Sequence, residues 1–335
     1  MGLLLILLLA ASGSPQWRRV DPAKPEQQPQ QQPPEPQQQP QTPPEEQGVV
    51  FRTGTGLVRV DVQVGVNNKL VQDLRKEDFF IYDEDAPRPV EYFGREAEPL
   101  DLMLLLDVSG SMRRYLEQVA ATAQQALAQL HATDRAAVML FSRRSEIREP
   151  LNSNLQEIEA KVKEAAKPQE MGAGTRITQA VAAAAEYMGK NAGTGRRAVL
   201  ILTDGLSMDY QFPDDIAINA LLSADAGLNA IVVGRGEKPD KPKPGAYVNP
   251  DFTAADVWEM AARTGGEVLR AEHAGKTFSE MIERIRTRYS LQYRVPEDAQ
   301  PGTFRRIRVE LSPEARQRHP KAWIRARSGY FVPRQ

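Results

Sequence analysis

Three oxygen-bearing side chains crowd the end of one apolar run. In LDLMLLLDVSGSM, residues 100–112, a stretch of Leu and Met stops abruptly at Asp107, Ser109 and Ser111, and a helix-period segment follows at once. A run that is apolar on both faces is the pattern of a central strand in a parallel sheet. Such sheets bind ligands beyond the carboxyl ends of their strands. Two more oxygen donors stand at comparable places. Thr175 lies in GAGTRIT, after glycines and before a helical stretch, and Asp204 lies in LILTDG, straight after another apolar run. Two carboxylates and three hydroxyls suit a hard divalent cation such as Mg²⁺, with Mn²⁺ or Ca²⁺ as alternatives. Residues i and i+2 leaving a strand tip can face the same side of a tight loop, and Gly110 permits the bend.

Other chemistries are poorly supplied. The chain has no cysteine, which excludes disulfides, thiolate metal sites and cysteine nucleophiles. Its three histidines, His131, His273 and His319, are far apart in sequence. A Lewis-acidic metal could activate water, but hydrolysis also wants a nearby general acid or base, and the sequence offers no clear one. A phosphatase of the haloacid dehalogenase type needs a second aspartate where Ser109 stands. A dinucleotide fold needs G-x-G-x-x-G at this turn, and no Lys-Ser/Thr pair follows Gly172 and Gly174 as in a phosphate loop. The plainer alternative for Ser109 and Ser111 is that they cap the helix that follows.

The elements around these residues alternate. Helical spacing runs over 115–130, 155–166, 178–188, 216–226, 254–263 and 277–288, and apolar strands fall at 136–141, 198–202, 229–233 and 267–269. That order predicts a doubly wound, mainly parallel α/β sheet over residues 99–288. The flanks differ. Val58, Val60, Val62, Val64 and Val66 alternate with Arg59, Asp61 and Gln63, a half-buried strand, and 79–82 and 90–93 add two more. Residues 289–335 return to strands at 290–295, in FRRIRVEL and in AWIRARSGYFV. Neither flank has enough strands for a core of its own. The economical arrangement is that 49–98 and 289–335 pair as one small β-sandwich, with the α/β unit inserted between them.

The net charge of −1 gives no overall field toward nucleic acid or membrane. The total hides an asymmetry, because residues 1–100 carry 10 Lys/Arg against 15 Asp/Glu and residues 284–335 carry 13 against 4. Opposite charges favour pairing of the flanks. The arginines of 284–308 and 316–327 offer either a patch for anionic polymer or lipid headgroups or, more plainly, a solvated strand face. Residues 1–14 read as the apolar core and small-residue zone of a secretory signal, although no Lys or Arg precedes them. Residues 15–48, dominated by Pro and Gln, form a disordered spacer, and its Pro/Gln/Glu stretch 21–47 favours polyproline II and reaches ~80 Å if extended.

With these residues in hand, the chain resembles the von Willebrand factor type A domain family, in an exported bacterial form. The likeness rests on D-x-S-x-S at Asp107, Ser109 and Ser111, on Thr175 and on Asp204, in that order and at those kinds of element. The flanking segments also look like those of that bacterial subgroup. The resemblance implies a metal-ion-dependent adhesion site. Ser109, Ser111 and Thr175 would bind the ion directly, Asp107 and Asp204 directly or through water, and one position would stay open for a partner's carboxylate. Met112, Arg113, Arg176, Met208, Tyr210 and Phe212 stand around that site as candidate partner contacts. The expected function is a non-enzymatic, Mg²⁺-dependent protein-binding module at the cell envelope. Its alternatives are an envelope scaffold with a dispensable metal and, further off, a metal-dependent hydrolase.

Overall fold

The computed structural model describes residues 56–95, 98–172, 174–207, 212–240 and 254–333. The proposed signal and spacer lie outside them. Residues 57–94 form β1 (Leu57–Val66), β2 (Lys69–Leu70), β3 (Phe79–Asp83), β4 (Ala86–Arg88) and β5 (Tyr92–Gly94). Next come β6 (Leu100–Asp107), α1 (Arg113–Leu127), β7 (Arg135–Phe141), β8 (Ser145–Asn152), α2 (Leu155–Ala165) and α3 (Ile177–Asn191). β9 (Arg196–Thr203), α4 (Asp214–Ser223), β10 (Gly227–Val233), α5 (Val257–Thr264), β11 (Val268–Ala271) and α6 (Ala274–Arg286) complete the middle of the chain. The last elements are β12 (Tyr289–Arg294), β13 (Phe304–Leu311), α7 (Pro313–Arg318), β14 (Trp323–Arg325) and β15 (Gly329–Phe331).

The central sheet has the order β11-β10-β9-β6-β7-β8. Its strands are parallel except β8, which runs antiparallel to β7 along one edge. β6 is buried along its whole length, and its pleat divides its side chains between two cores. Leu100, Leu102, Leu104 and Leu106 pack beneath α1, α2 and α6, while Met103 and Leu105 pack beneath α3, α4 and α5. The expected doubly wound, mainly parallel α/β sheet is present. β8 is an addition to the sequence reading. Its residues, SEIREPLN, do not alternate cleanly and include Pro150 and charged side chains, a composition that suits an exposed edge strand. The short helix α7 was likewise not expected within the second β flank.

The two flanks interleave. β12 pairs with the first half of β1 and β14 with its second half, while β13 pairs with β3. The sheet β14-β1-β12-β5 faces β15-β13-β3-β4 over a core that includes Val58, Val60, Val62, Val64, Phe79, Ile81, Tyr289, Leu291, Tyr293 and Ile307. The charge asymmetry is spent across the same seam. Arg305 pairs with Asp83 (2.7 Å), Arg306 with Glu84 (3.0 Å), Arg294 with Glu91 (3.1 Å) and Arg318 with Asp78 (2.5 Å). Asp83, fully buried, also accepts hydrogen bonds from the hydroxyls of Tyr293 and Tyr330 at 2.9 Å each. Much of the basic second flank is therefore neutralised by the first.

The sandwich meets the amino-terminal end of the parallel strands. Arg59 donates to the carbonyl of Gly195 (2.5 Å), Arg196 lies 3.4 Å from Asp61, and Gln63 donates to Glu267 (2.6 Å). Glu267 also takes two bonds from Arg284, at 3.0 and 2.9 Å. The carboxyl-terminal end of the strands, where Asp107 and Asp204 stand, is left facing away from the sandwich.

Candidate functional site

Neighbouring parallel strands β7, β6 and β9 deliver their carboxyl ends side by side. Asp107 is the last residue of β6, opposite Phe141 of β7, and Asp204 follows Thr203 at the end of β9. Asp107 is completely buried, and Asp204 is 6% exposed. The Ser109 amide N–H donates to Asp107 Oδ1 at 3.0 Å, and Thr203 Oγ1 donates to Oδ2 at 2.8 Å. Ser111 Oγ donates to Asp204 Oδ2 at 2.6 Å, and the hydroxyls of Ser109 and Ser111 are 3.3 Å apart. Leu206 N–H closes the turn onto Asp204 Oδ1 at 3.1 Å, with Gly205 at φ 76°, a left-handed value that glycine adopts freely. Four of the five expected residues are thus joined in one hydrogen-bonded group.

Neither serine caps a helix. Ser109 stands at the N-cap of the short 3₁₀ turn Gly110–Met112 without a side-chain cap bond, and the Ser111 hydroxyl goes to Asp204, across 93 residues of sequence. The capping alternative therefore does not account for these hydroxyls.

Thr175 is buried in the loop before α3. No direct bond from its side chain to the other four is present, but two serines hold its loop against them. Ser142, directly after β7, places Oγ 2.9 Å from the Gly172 carbonyl and 2.8 Å from that of Gly174, while its own carbonyl accepts from Arg176 N–H at 3.0 Å. Ser207, three residues after Asp204, lies with Oγ 3.4 Å from the Thr175 carbonyl and accepts from Ile177 N–H at 3.3 Å. Ser142, Ser207 and Thr203 were not singled out from sequence. The only signal available was position, since each sits just past or at the end of an apolar strand.

The electrostatics of the group favour a cation. Burial raises the Asp107 carboxyl from its ordinary value to about 6, against the lowering effect of the Ser109 and Thr203 donors, and the neighbouring charge of Asp204 adds to the rise. A positive charge among these oxygens would relieve both the burial and the repulsion. Among the described residues no group of three or more His, Asp or Glu side chains is placed to hold a metal. A cation at this end of the sheet would therefore depend on hydroxyls as well as carboxylates, which is the donor chemistry of a hard ion.

The candidate partner contacts divide. Arg113 is exposed at the start of α1 and Arg176 is half-buried at the start of α3. Phe212 is half-buried beside a groove between α3 and α4, with Ala182, Ala183, Ile216 and Ala220. Met112 is a correction. It is fully buried in the core with Leu106, Tyr115 and Leu116, because it begins the inward stripe of α1. Met208 and Tyr210 lie outside the described residues.

A doubly wound α/β sheet whose central carboxyl ends carry a carboxylate–hydroxyl group defines the class. Residues 102–206, the stretch that carries Asp107, Ser109, Ser111, Thr175 and Asp204, match the family model of the von Willebrand factor type A domain. Among solved structures, the chain is similar to the conserved hypothetical protein BatB from Bacteroides thetaiotaomicron, with 17% identity over 56% of this chain and 97% of that one and a TM-score of 0.40. It is similar to a von Willebrand factor type A protein from Catenulispora acidiphila, with 14% identity over 84% and 74% and a TM-score of 0.45. It is also similar to proximal thread matrix protein 1 from the mussel byssus, a structure with a zinc-occupied MIDAS motif, with 16% identity over 57% and 49% and a TM-score of 0.43. No match is found among curated proteins.

Proposed function

We propose that the chain is an exported, divalent-cation-dependent protein-binding module, not an enzyme. Asp107, Ser109, Ser111, Thr175 and Asp204 would hold Mg²⁺, and the partner would supply an acidic side chain. The observation that carries this reading is the Ser111–Asp204 hydrogen bond of 2.6 Å, beside the buried Asp107 carboxyl. It gathers hydroxyl and carboxylate donors from separate parts of the chain with no capping role to explain them. When bound, the ion supplies an undercompensated positive charge, since its hydroxyl ligands are neutral, and such a charge attracts a carboxylate strongly in a partly dry site. The protein's own residues do the positioning. Thr203 and the Ser109 amide fix the Asp107 carboxylate, Leu206 N–H fixes Asp204, and Ser142 and Ser207 hold the Thr175 loop in place.

Placement at the cell envelope rests on the reading of residues 1–14 and 15–48. No helix of the described residues is long and apolar enough to cross a membrane. The test of function is binding of a labelled peptide bearing a single aspartate. Affinity should appear with Mg²⁺, vanish with chelator, and vanish in Asp204→Ala with Mg²⁺ present. Binding that ignores chelator and variant alike would contradict the proposal.

A further inference from the structure

The loops at the carboxyl edge of the sheet carry six arginines that pair with no carboxylate among the described residues. Arg113 and Arg114 follow β6, and Arg143 and Arg144 follow β7. Those strands are adjacent and in register, with Asp107 opposite Phe141 and Val108 N–H donating to the Phe141 carbonyl (2.9 Å). The two doublets therefore leave the sheet from neighbouring strands, about 4.8 Å apart. Arg176 begins α3, its N–H bound to the Ser142 carbonyl at 3.0 Å. Arg235 follows β10, one residue before Gly236, whose backbone lies directly against the Asp204 carbonyl. All six stand in loops at the same end of the sheet as the carboxylate–hydroxyl group, and all but the half-buried Arg176 are exposed.

Their contacts are to neutral atoms. Arg114 reaches the Tyr115 hydroxyl and lies over its ring (4.5 Å), Arg144 donates to the Glu170 carbonyl (2.8 Å), and Arg176 touches the side-chain oxygen of Gln179 (3.4 Å). None of the six forms an ion pair with a described carboxylate, in contrast to Arg294, Arg305, Arg306 and Arg318 of the sandwich. Glu170, Glu237, Asp240 and Glu272 are exposed at the same edge, and with Asp107 and Asp204 they offset much of the charge. A divalent cation at the site would shift the balance of this edge toward positive charge.

We propose that this edge is a docking surface for an acidic peptide segment carrying several carboxylates, not for a lone acidic residue. The surface rests on the cation-dependent reading only for its central contact; the arginines act with or without the ion. Arginine forks bind carboxylates two-pronged, so several of them on neighbouring loops read a run of Asp or Glu by charge and by geometry. Rim charges of this kind act mainly on association rate and salt dependence.

The probes are a short polyglutamate peptide, the single-aspartate peptide and an oligonucleotide of matched charge, each bound to the full chain in Mg²⁺ and in chelator. Polyglutamate should bind at least about tenfold tighter than the single-aspartate peptide, equivalent to about 1.4 kcal/mol. That margin should shrink as ionic strength rises. Arg143→Gln with Arg235→Gln should remove most of the margin without weakening Mg²⁺ uptake, since deleting positive charge does not repel a cation. Equal affinity for the two peptides, or an unchanged margin in the double variant, overturns the proposal, as does tighter binding of the oligonucleotide than of polyglutamate. Asp204→Ala separates the two readings. Salt-sensitive polyglutamate binding that survives in it, while Mg²⁺ has no effect on the wild type, would remove the cation reading and leave the arginine surface standing.

Discussion

At the scale of single residues, Asp107 decides most. Its carboxyl titrates at about 6, against an ordinary value of 3.8, chiefly because it is buried. A carboxyl raised in the folded state takes up its proton more readily there than in the unfolded chain. It favours folding below pH 4, and that contribution is lost as pH rises through 6, a change on the order of 3 kcal/mol. Without divalent ions, then, this residue makes the chain less stable at pH 7 than at pH 5, and a cation reverses the penalty. Thermal melts with and without Mg²⁺ should diverge as pH rises from 5 to 7. Asp107→Asn should raise the cation-free melting temperature at pH 7 by about 2–4 °C, for roughly 1 kcal/mol, and abolish the Mg²⁺ response. A residue needed only for the fold would not give that opposed pair of effects. The motif residues were legible because strand-end carboxylates and hydroxyls in a fixed order are rare in combination. Met112 was also legible, since residues 112, 115, 116 and 119 follow the helical spacing of the α1 core face. Reading it as a rim residue set its nearness to Ser111 above its phase.

At the scale of elements, the loops depend on one another. Ser142 binds the two glycine carbonyls that flank the turn before Thr175. Ser142→Ala should cost about 1 kcal/mol in chemical denaturation and weaken Mg²⁺ by about tenfold, the size seen when a group that orients metal ligands is lost. An unchanged Mg²⁺ affinity would show that the Thr175 loop needs no such support. These serines escaped the sequence reading because a serine after a strand is common, and its meaning appears only when the loops stand side by side. β8 escaped it for a different reason. Edge strands with one wet face, a proline and charged side chains lack the apolar alternation that marks β1 or the continuous burial that marks β6.

At the scale of the whole molecule, the sandwich is a clamp made from both flanks. β1 takes partners from both β12 and β14, so a chain ending at residue 288 would leave Val58, Val60 and Val62 uncovered and should express as aggregate. The incompleteness of each flank made their union readable from sequence, and the ion pairs across them account for the opposite charges. The junction itself was not readable. Glu267, 2% exposed, collects Arg284, Gln63 and, at 3.6 Å, Arg325. Burial opposes its charge, but Arg284, Arg288 and Gln63 together hold its carboxyl below the usual range. Its stabilising share is therefore present above pH 4.5 and lost as pH falls through its lowered value. Glu267→Leu should destabilise the chain by about 3–5 kcal/mol, because it strands Arg284 in a buried place, and urea denaturation would measure it. Mg²⁺ affinity at the opposite end of the sheet should be retained where the variant remains folded.

The central claim is that oxygen side chains brought together from residues 107–111, 175 and 204 bind a divalent cation. Calorimetric titration of Mg²⁺ into the full chain at pH 7 tests it most directly, with Asp107→Asn as the folded control. The account predicts saturable binding of one ion per chain in the wild type and none in the variant. Absence of binding in the wild type at millimolar Mg²⁺, or equal binding in both proteins, would contradict it.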